Sequence, residues 1–308
     1  MFLSAVIIAL VLDFTLGDPA WRQHPVRVLG YLISYLEPRC REIPAHPRVQ
    51  GCLFLALNMA VFIVPICFIL LVASNLGALG HAIFGTTLYF ALGGTCLARD
   101  VYGVADSLGR EGLASGREKL RMLVSRDVDG MDETAVSSSA IETLSENFSD
   151  SAVATLIYAA LGGPVLAWIH RISNTLDAMV GYKTDEYIEF GWASARLDDI
   201  LNYIPSRVSV VIVALASGDA IITLECARSH GRALSSPNSG YPIAAFAGAL
   251  GLRLCGPASY FGVLHDKPFI GDGNRPLSHD ISRALMLYWN SYAIAAATSV
   301  LAALLIWR

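Results

Sequence analysis

GCLFLALNMAVFIVPICFILLVA, residues Gly51–Ala73, runs for 23 residues without a charged side chain. The hydrocarbon core of a bilayer is about 30 Å thick and takes about 20 mostly apolar residues as a helix. This stretch is therefore long enough to cross one unaided. Three further segments read the same way: Phe2–Leu16, short and carrying Asp13 near its end; Ala82–Ala98, after a hairpin at Ser74–His81; and Leu285–Trp307. Two weaker segments are Ala152–Ile169, broken by Gly162-Gly163-Pro164, and Val208–Ala216, which stops at Ser217-Gly218-Asp219. Across all 308 residues, 54% are hydrophobic and 16% charged. Soluble domains run about 45–50% and about 25%, so the excess apolar surface needs lipid as its solvent. A formal net charge of -4 with no basic tract excludes a nucleic-acid-coating or disordered protein.

Lys and Arg set the orientation, because short cytoplasmic loops carry their excess. If the four strong segments cross, 18–50 and 99–284 share one side with 21 of the 22 basic residues, leaving only Arg308 beyond them. Six crossings would instead move Arg171, Lys183, Arg196 and Arg207 to the far side. The charge count favours four crossings, with the two weaker segments re-entrant or core-buried. Irregular backbone at membrane depth is tolerated where protein surrounds it. The expected fold is all-α: a polytopic integral membrane protein with four strong transmembrane helices, two re-entrant or spanning helices, and a large helical cytoplasmic portion. The whole of 1–308 is expected to form one membrane-embedded domain. The N-terminal run has no preceding Lys or Arg and no small-residue cleavage site, so it reads as a retained span. The six cysteines show no C-x-x-C pair, which argues against a disulfide framework or zinc site.

Five clusters carry polar chemistry. Glu142, Glu146 and Asp150 share one stripe of a helix, where like charges repel by a few tenths of a kcal/mol. A divalent cation or a cationic substrate would relieve them. The competing structural reading makes Ser139-x-x-Glu142 a capping box and Asp150 the cap of the next helix. Asn174-x-x-Asp177 precedes Gly181-Tyr182-Lys183. In Gly191-Trp192-x-x-x-Arg196-x-Asp198-Asp199-x-x-Asn202, Asp198 and Asn202 share a helix face, and Arg196 and Asp199 suit a surface ion pair. Ionisable residues between apolar segments of a membrane protein nonetheless usually line a cavity or pathway. Ser236-Pro237-Asn238-Ser239-Gly240 is a turn by composition, and its backbone N–H groups also suit an anion. His24-Pro25 reads as a structural loop. No P-loop, H-E-x-x-H, G-x-S-x-G or dinucleotide fingerprint is present.

In this order, the motifs resemble the cobalamin-biosynthesis family CobD/CbiB, adenosylcobinamide-phosphate synthase. They are Leu16-Gly-Asp18-Pro19 with His24-Pro-Val26; Ser125-Arg126-Asp127; Ala140-Ile-Glu142-Thr-Leu-Ser-Glu146-Asn147-x-Ser149-Asp150; Asn174-Thr-Leu-Asp177 through Gly181-Tyr182-Lys183; Phe190-Gly191-Trp192 through Asp199; Asn202-Tyr-Ile-Pro205-x-Arg207; Ser236-Pro-Asn238-x-Gly240; and Ala247-Gly-Ala-Leu-Gly251. The resemblance covers Asp13 to about Gly273. It departs from the family pattern at Ser145, where a residue such as Ala is usual, and at Tyr203 and Tyr241, where Trp is common.

The resemblance implies an enzyme of the inner (cytoplasmic) membrane whose site faces the cytoplasm. It would join the carboxylate of adenosylcobyric acid to the amine of (R)-1-amino-2-propanol O-phosphate, or a related amino-alcohol phosphate. ATP and Mg²⁺ are the expected co-substrate and cofactor, since a carboxylate condenses with an amine only after activation. Glu142, Glu146, Asp150, Asp177, Lys183, Asp198 and Asp199 are the implied catalytic residues, with Glu146, Asp150, Asp198 and Asp199 as Mg²⁺ ligands. His24, Arg126, Asn147, Asn174, Tyr182, Arg196, Asn202, Arg207, Ser236, Asn238 and Gly240 are the implied substrate- and phosphate-binding residues. These groups are expected to converge in one cytosolic pocket. Expected partners are the two substrates, the bilayer, and a second copy or other cobalamin-pathway enzymes, but no nucleic acid. The alternatives are a transporter or a non-catalytic regulatory membrane protein like the AmpE proteins. A prenyltransferase is disfavoured because the paired N-D-x-x-D and D-x-x-x-D motifs are missing.

Overall fold

Apolar segments that must satisfy their own backbone hydrogen bonds form helices, and the computed structural model is 73% helical. It describes residues 1–19, 21, 23–260 and 262–307; Arg308, the one basic residue assigned to the far side, lies outside them. The first helices are α1 (Phe2–Leu16), α2 (Pro25–Arg41), α3 (Pro47–Ala73), α4 (Gly77–Tyr89), α5 (Gly94–Arg110), α6 (Leu113–Arg121) and α7 (Glu133–Asn147). A π-helical turn at Phe148–Val153 leads into α8 (Ala154–Val180), followed by α9 (Trp192–Leu201), α10 (Tyr203–Ala216), α11 (Ala220–His230) and α12 (Gly240–Leu250). Strands β1 (Leu254–Cys255) and β4 (Phe269–Ile270) pair antiparallel around the hairpin of β2 (Ala258–Tyr260) and β3 (Val263–His265). Helix α13 (Ser278–Ile306) follows. The chain is an all-α polytopic membrane protein.

Several boundaries differ from the sequence reading. Four stretches are long and apolar enough to cross: Pro47–Ala73, Gly77–Arg110, Glu133–Val180 and Ser278–Ile306. The count of four agrees, but the membership does not. At 1.5 Å per residue the 15 residues of α1 extend only about 22 Å, whereas 152–169 lies within the longer apolar stretch Glu133–Val180, which is broken at Gly162–Gly163. The capping-box reading of Ser139-x-x-Glu142 fails because α7 has already begun: Asp132 is its N-cap, accepting the Ala135 N–H at 2.7 Å. Asp150 is not the N-cap of the next helix, since it sits within the continuous π-helical turn. Pro38 lies inside the last turn of α2.

The chain forms two compact units, each assembled from separated stretches. The first comprises Met1–Gly93, Ala154–Asn202 and Ala296–Arg308; the second, Gly94–Val153 and Tyr203–Ala295.

Within the first unit, α8 does not run straight. Gly162 and Gly163 leave helical geometry, Gly163 at φ 63, a conformation open chiefly to glycine. On an unbroken helix Tyr158 and His170 would lie about 18 Å apart along the axis. Their rings instead stack at 5.4 Å between centroids. The chain therefore doubles back at Gly162–Gly163. The turn lies at the end of the unit that also holds Phe2, whose ring a Cβ on Gly163 would strike at 2.7 Å.

The break strips carbonyls of their helical donors, and side chains replace them. Ala160 would bond the N–H four residues on, but that residue is Pro164, which has none. The Trp307 indole donates to the Ala160 carbonyl instead, at 2.8 Å. The Thr87 carbonyl, in the last turn of α4, accepts the Trp168 indole N–H at 2.8 Å, and the Leu201 carbonyl, at the end of α9, accepts the Tyr158 hydroxyl at 2.8 Å. At the opposite end of the unit, Arg48 pairs with Glu189 at 2.6 Å and Arg41 donates to the Glu186 carbonyl at 3.3 Å. The start of α3 and the loop after α8 thus share one end.

This geometry predicts membrane sidedness within the first unit. In a cysteine-free background, Glu42→Cys and Asp185→Cys should react with an impermeant maleimide from one face of the membrane, and Asn75→Cys from the other. Labelling of Asp185→Cys from the same face as Asn75→Cys would show that α8 crosses in a single pass.

Candidate functional site

The polar residues singled out in the sequence fall into groups within each unit. In the first unit, α8 presents Asn174 and Asp177 three residues apart, and α9 packs against it with Arg196, Asp198 and Asp199. Two glycines allow the approach. A Cβ on Gly181 would fall 1.9 Å from Asp177 Oδ1, and one on Gly191 would fall 1.8 Å from the Val180 carbonyl oxygen. The motif Gly181-Tyr182-Lys183 thereby places the Lys183 ammonium within electrostatic reach of Asp177 and Asp199.

Asp198 is buried and close enough to Asp177 for their charges to repel. It accepts the Asn202 Nδ2–H at 3.0 Å, and Asn174 also hydrogen-bonds it. The other end of the Asn202 amide meets His170 Nε2 at 2.8 Å. Arg196 and Asp199 form the exposed i,i+3 pair that their spacing suggested, at 3.8 Å. Such pairs contribute little. Tyr182 is exposed, its ring 6.2 Å from that of Tyr187. His24 uses both ring nitrogens within the chain: Nδ1 accepts the Val26 N–H at 3.3 Å and Nε2 meets Asp18 at 2.6 Å. It anchors the start of α2.

In the second unit, buried Glu142 is fully engaged. One oxygen accepts from Ser138 Oγ at 2.6 Å and from the Cys255 backbone N–H at 3.0 Å, while the other pairs with Arg126 at 2.8 Å. Burial alone would lower the Arg126 pKa, but the charge of Glu142, with Tyr260 and the direct hydrogen bond, holds it above its ordinary value. Burial, reinforced by Glu142, pushes the Cys255 thiol well up. Cys255 itself sits at φ 64, a left-handed conformation that costs a non-glycine residue of order 1–3 kcal/mol and persists only where surrounding contacts hold it. Next to Arg126, the Asp127 carboxylate accepts from Ser259 Oγ at 2.7 Å and the Gly262 N–H at 2.8 Å, fastening the β2–β3 hairpin. Glu146 and Asp150 are half-buried further along, and the Asn147 amide donates to the Thr143 carbonyl at 3.0 Å.

A second group in this unit surrounds Arg207. Its guanidinium lies between the rings of Tyr203 and Tyr241, at 3.7 and 4.2 Å from their centroids, and donates to Asn238 Oδ1 at 2.9 Å and the Pro237 carbonyl at 3.1 Å. Ser236 Oγ accepts the N–H groups of Asn238 and Ser239, which fixes the turn before Gly240 opens α12. A hydrogen bond from Arg232 lowers the pKa of the Tyr241 phenol.

The model of the CobD/Cbib protein family matches residues 6–288. The chain belongs to the CobD/Cbib family. It is 39% identical to the cobalamin biosynthesis protein CobD of Pelobacter propionicus, over 98% of this chain and 96% of that one. Identity to CobD of Geobacter metallireducens is 41%, over 89% and 88%, and to CbiB of Salmonella arizonae 36%, over 98% of each. No solved structure matches.

Among the motifs of this CobD/Cbib chain, Ser125-Arg126-Asp127 and Glu142 hold segments together, while Asp177, Asp198, Asp199 and Lys183 form a charged group. Sequence reasoning passed over His170 and Cys255. His170 precedes Asn174 by one helical turn, a signal open to reading; the contact of Cys255 with Glu142 spans 113 residues and left none.

Removing one partner of a buried ion pair leaves the other charge uncompensated and costs about 3–5 kcal/mol. Arg126→Met should therefore lower thermal stability sharply in detergent. Arg126→Met combined with Glu142→Gln should recover much of the loss, because no buried charge remains and Gln still accepts from Ser138 and Cys255.

Proposed function

We propose that this membrane protein acts in cobalamin biosynthesis as an amide-forming ligase. It joins adenosylcobyric acid to (R)-1-amino-2-propanol O-phosphate, or a closely related amino-alcohol phosphate, giving adenosylcobinamide phosphate. The observation that carries this reading is the match to CobD and CbiB proteins along almost the full length of the chain. The residue types agree with the chemistry. The substrate carboxylate takes the terminal phosphoryl group of ATP, releasing ADP. The amine then attacks the acyl carbon, phosphate leaves, and the ammonium proton passes to a carboxylate.

In the first unit, Asp177 and Asp198 repel one another in a confined place, an arrangement that a cationic amine or a divalent ion relieves. The donor set there is all oxygen and suits Mg²⁺, which takes one or two protein carboxylates and fills its other positions with water and phosphate oxygens. Asp198 and Asp199 would hold it, and when bound it would screen phosphate charge. Among the described residues no three His, Cys, Asp or Glu side chains gather into a metal cage. Lys183 is placed to neutralise a substrate carboxylate or phosphate. In the second unit, the planar Arg207 guanidinium is held between two tyrosine rings, an arrangement suited to a phosphate oxygen pair. The site is proposed to face the cytoplasm, in line with the basic loops.

The purified protein, given ATP, Mg²⁺, the corrinoid acid and the amino-alcohol phosphate, should form a product whose mass is the sum of the two organic substrates less one water. Asp198→Asn should lower kcat/KM by 100-fold or more, and Arg207→Lys should raise the KM for the phosphorylated amine several-fold. Uptake of substrate into vesicles without a covalent product would overturn the ligase reading in favour of transport.

A further inference from the structure

Asp198 rests on an amide that is held from both sides. Asn202 is buried, with the Asp198 carboxyl group on one side and the fully buried His170 ring on the other. Its NH₂ donates to Asp198 at 3.0 Å and its carbonyl faces His170. The carbonyl at 2.8 Å therefore requires a proton on His170 Nε2, which leaves Nδ1 bare in the neutral ring. Nδ1 is buried and has no hydrogen-bond partner among the described residues, as that tautomer demands. The ring cannot swing away: Tyr158 stacks on it at 5.4 Å, and the Tyr158 hydroxyl is tied to the carbonyl of Leu201, the residue before Asn202. Both tyrosine contacts exist because α8 doubles back at Gly162–Gly163.

We propose that His170 is a positioning residue: through Asn202 it aims an amide donor at the Asp198 carboxyl group and keeps that group oriented. The proposal rests on the ligase reading for its kinetic consequence and on the geometry alone for its chemical one. His170 touches no substrate, so its loss should appear in kcat rather than KM. Loss of a side chain that orients a functional group from one contact away typically changes activity 10–100-fold.

Two readouts separate the possibilities. In protein carrying ¹⁵N-labelled histidine, with the His170 signals assigned by their loss in His170→Gln, Nε2 should carry the proton and Nδ1 should be bare, and Asn202→Ala should change that tautomer. In the ligase assay His170→Phe should lose 10–100-fold in kcat with KM for the amine within twofold, and His170→Gln should recover most of it. Adding His170→Phe to Asn202→Ala should cost little more, because His170 acts through Asn202. A His170 Nε2 that carries no proton, or a tautomer unchanged in Asn202→Ala, overturns the proposal whether or not the protein makes amide. Wild-type protein that makes no amide while the tautomer is as expected overturns the ligase reading and leaves the positioning role standing.

Discussion

A backbone carbonyl inside an apolar protein layer must find a donor, and there is no water to supply one. The break in α8 makes that constraint visible. Pro164 removes the donor that Ala160 would have used, and Trp307, from the far end of the chain, provides another. Trp168 and Tyr158 do the same for helix ends at Thr87 and Leu201. The first unit is held together by these repairs: each ties a broken or terminating helix to a neighbour, and together they let the chain reverse direction. Without the reversal Tyr158 and His170 could not meet, and α9 would lose one of its anchors.

The same scarcity of water governs the charged residues. A buried carboxylate persists only with partners for its lone pairs, and the two buried acids satisfy this differently. Glu142 is closed: a guanidinium, a serine hydroxyl and a strained backbone N–H occupy it. Asp198 is held by neutral amides and faces another acid, Asp177. The first arrangement locks three distant segments of the second unit together. The second leaves electrostatic demand for a cation, which is why the acidic group at the α8–α9 packing, rather than Glu142, carries the chemistry proposed here.

Much of this was legible in the sequence where the signal is local. The charge-free run 51–73 is a helix across a bilayer whatever surrounds it, and Gly162-Gly163-Pro164 announces a break in any context. Spacing also served Asp198 and Asn202, which share a helix face as their separation of four requires. It misled at Ser139-x-x-Glu142, because a capping-box pattern does not say whether a helix has already begun, and Asp132 had begun it six residues after Arg126 and well before Ser139. Glu142 then answered to partners far away in the chain, which no spacing rule reaches.

Hydropathy and charge, properties of short windows, settled by themselves that this chain is helical, lives in lipid, and carries acids and bases between its apolar segments. Which end of α8 each arm returns to, which carboxylate is neutralised and which is left in need of a cation were decided only when the chain folded. Those outcomes depend on distances between residues far apart in sequence, and at low dielectric a few ångströms separate a satisfied charge from a reactive one.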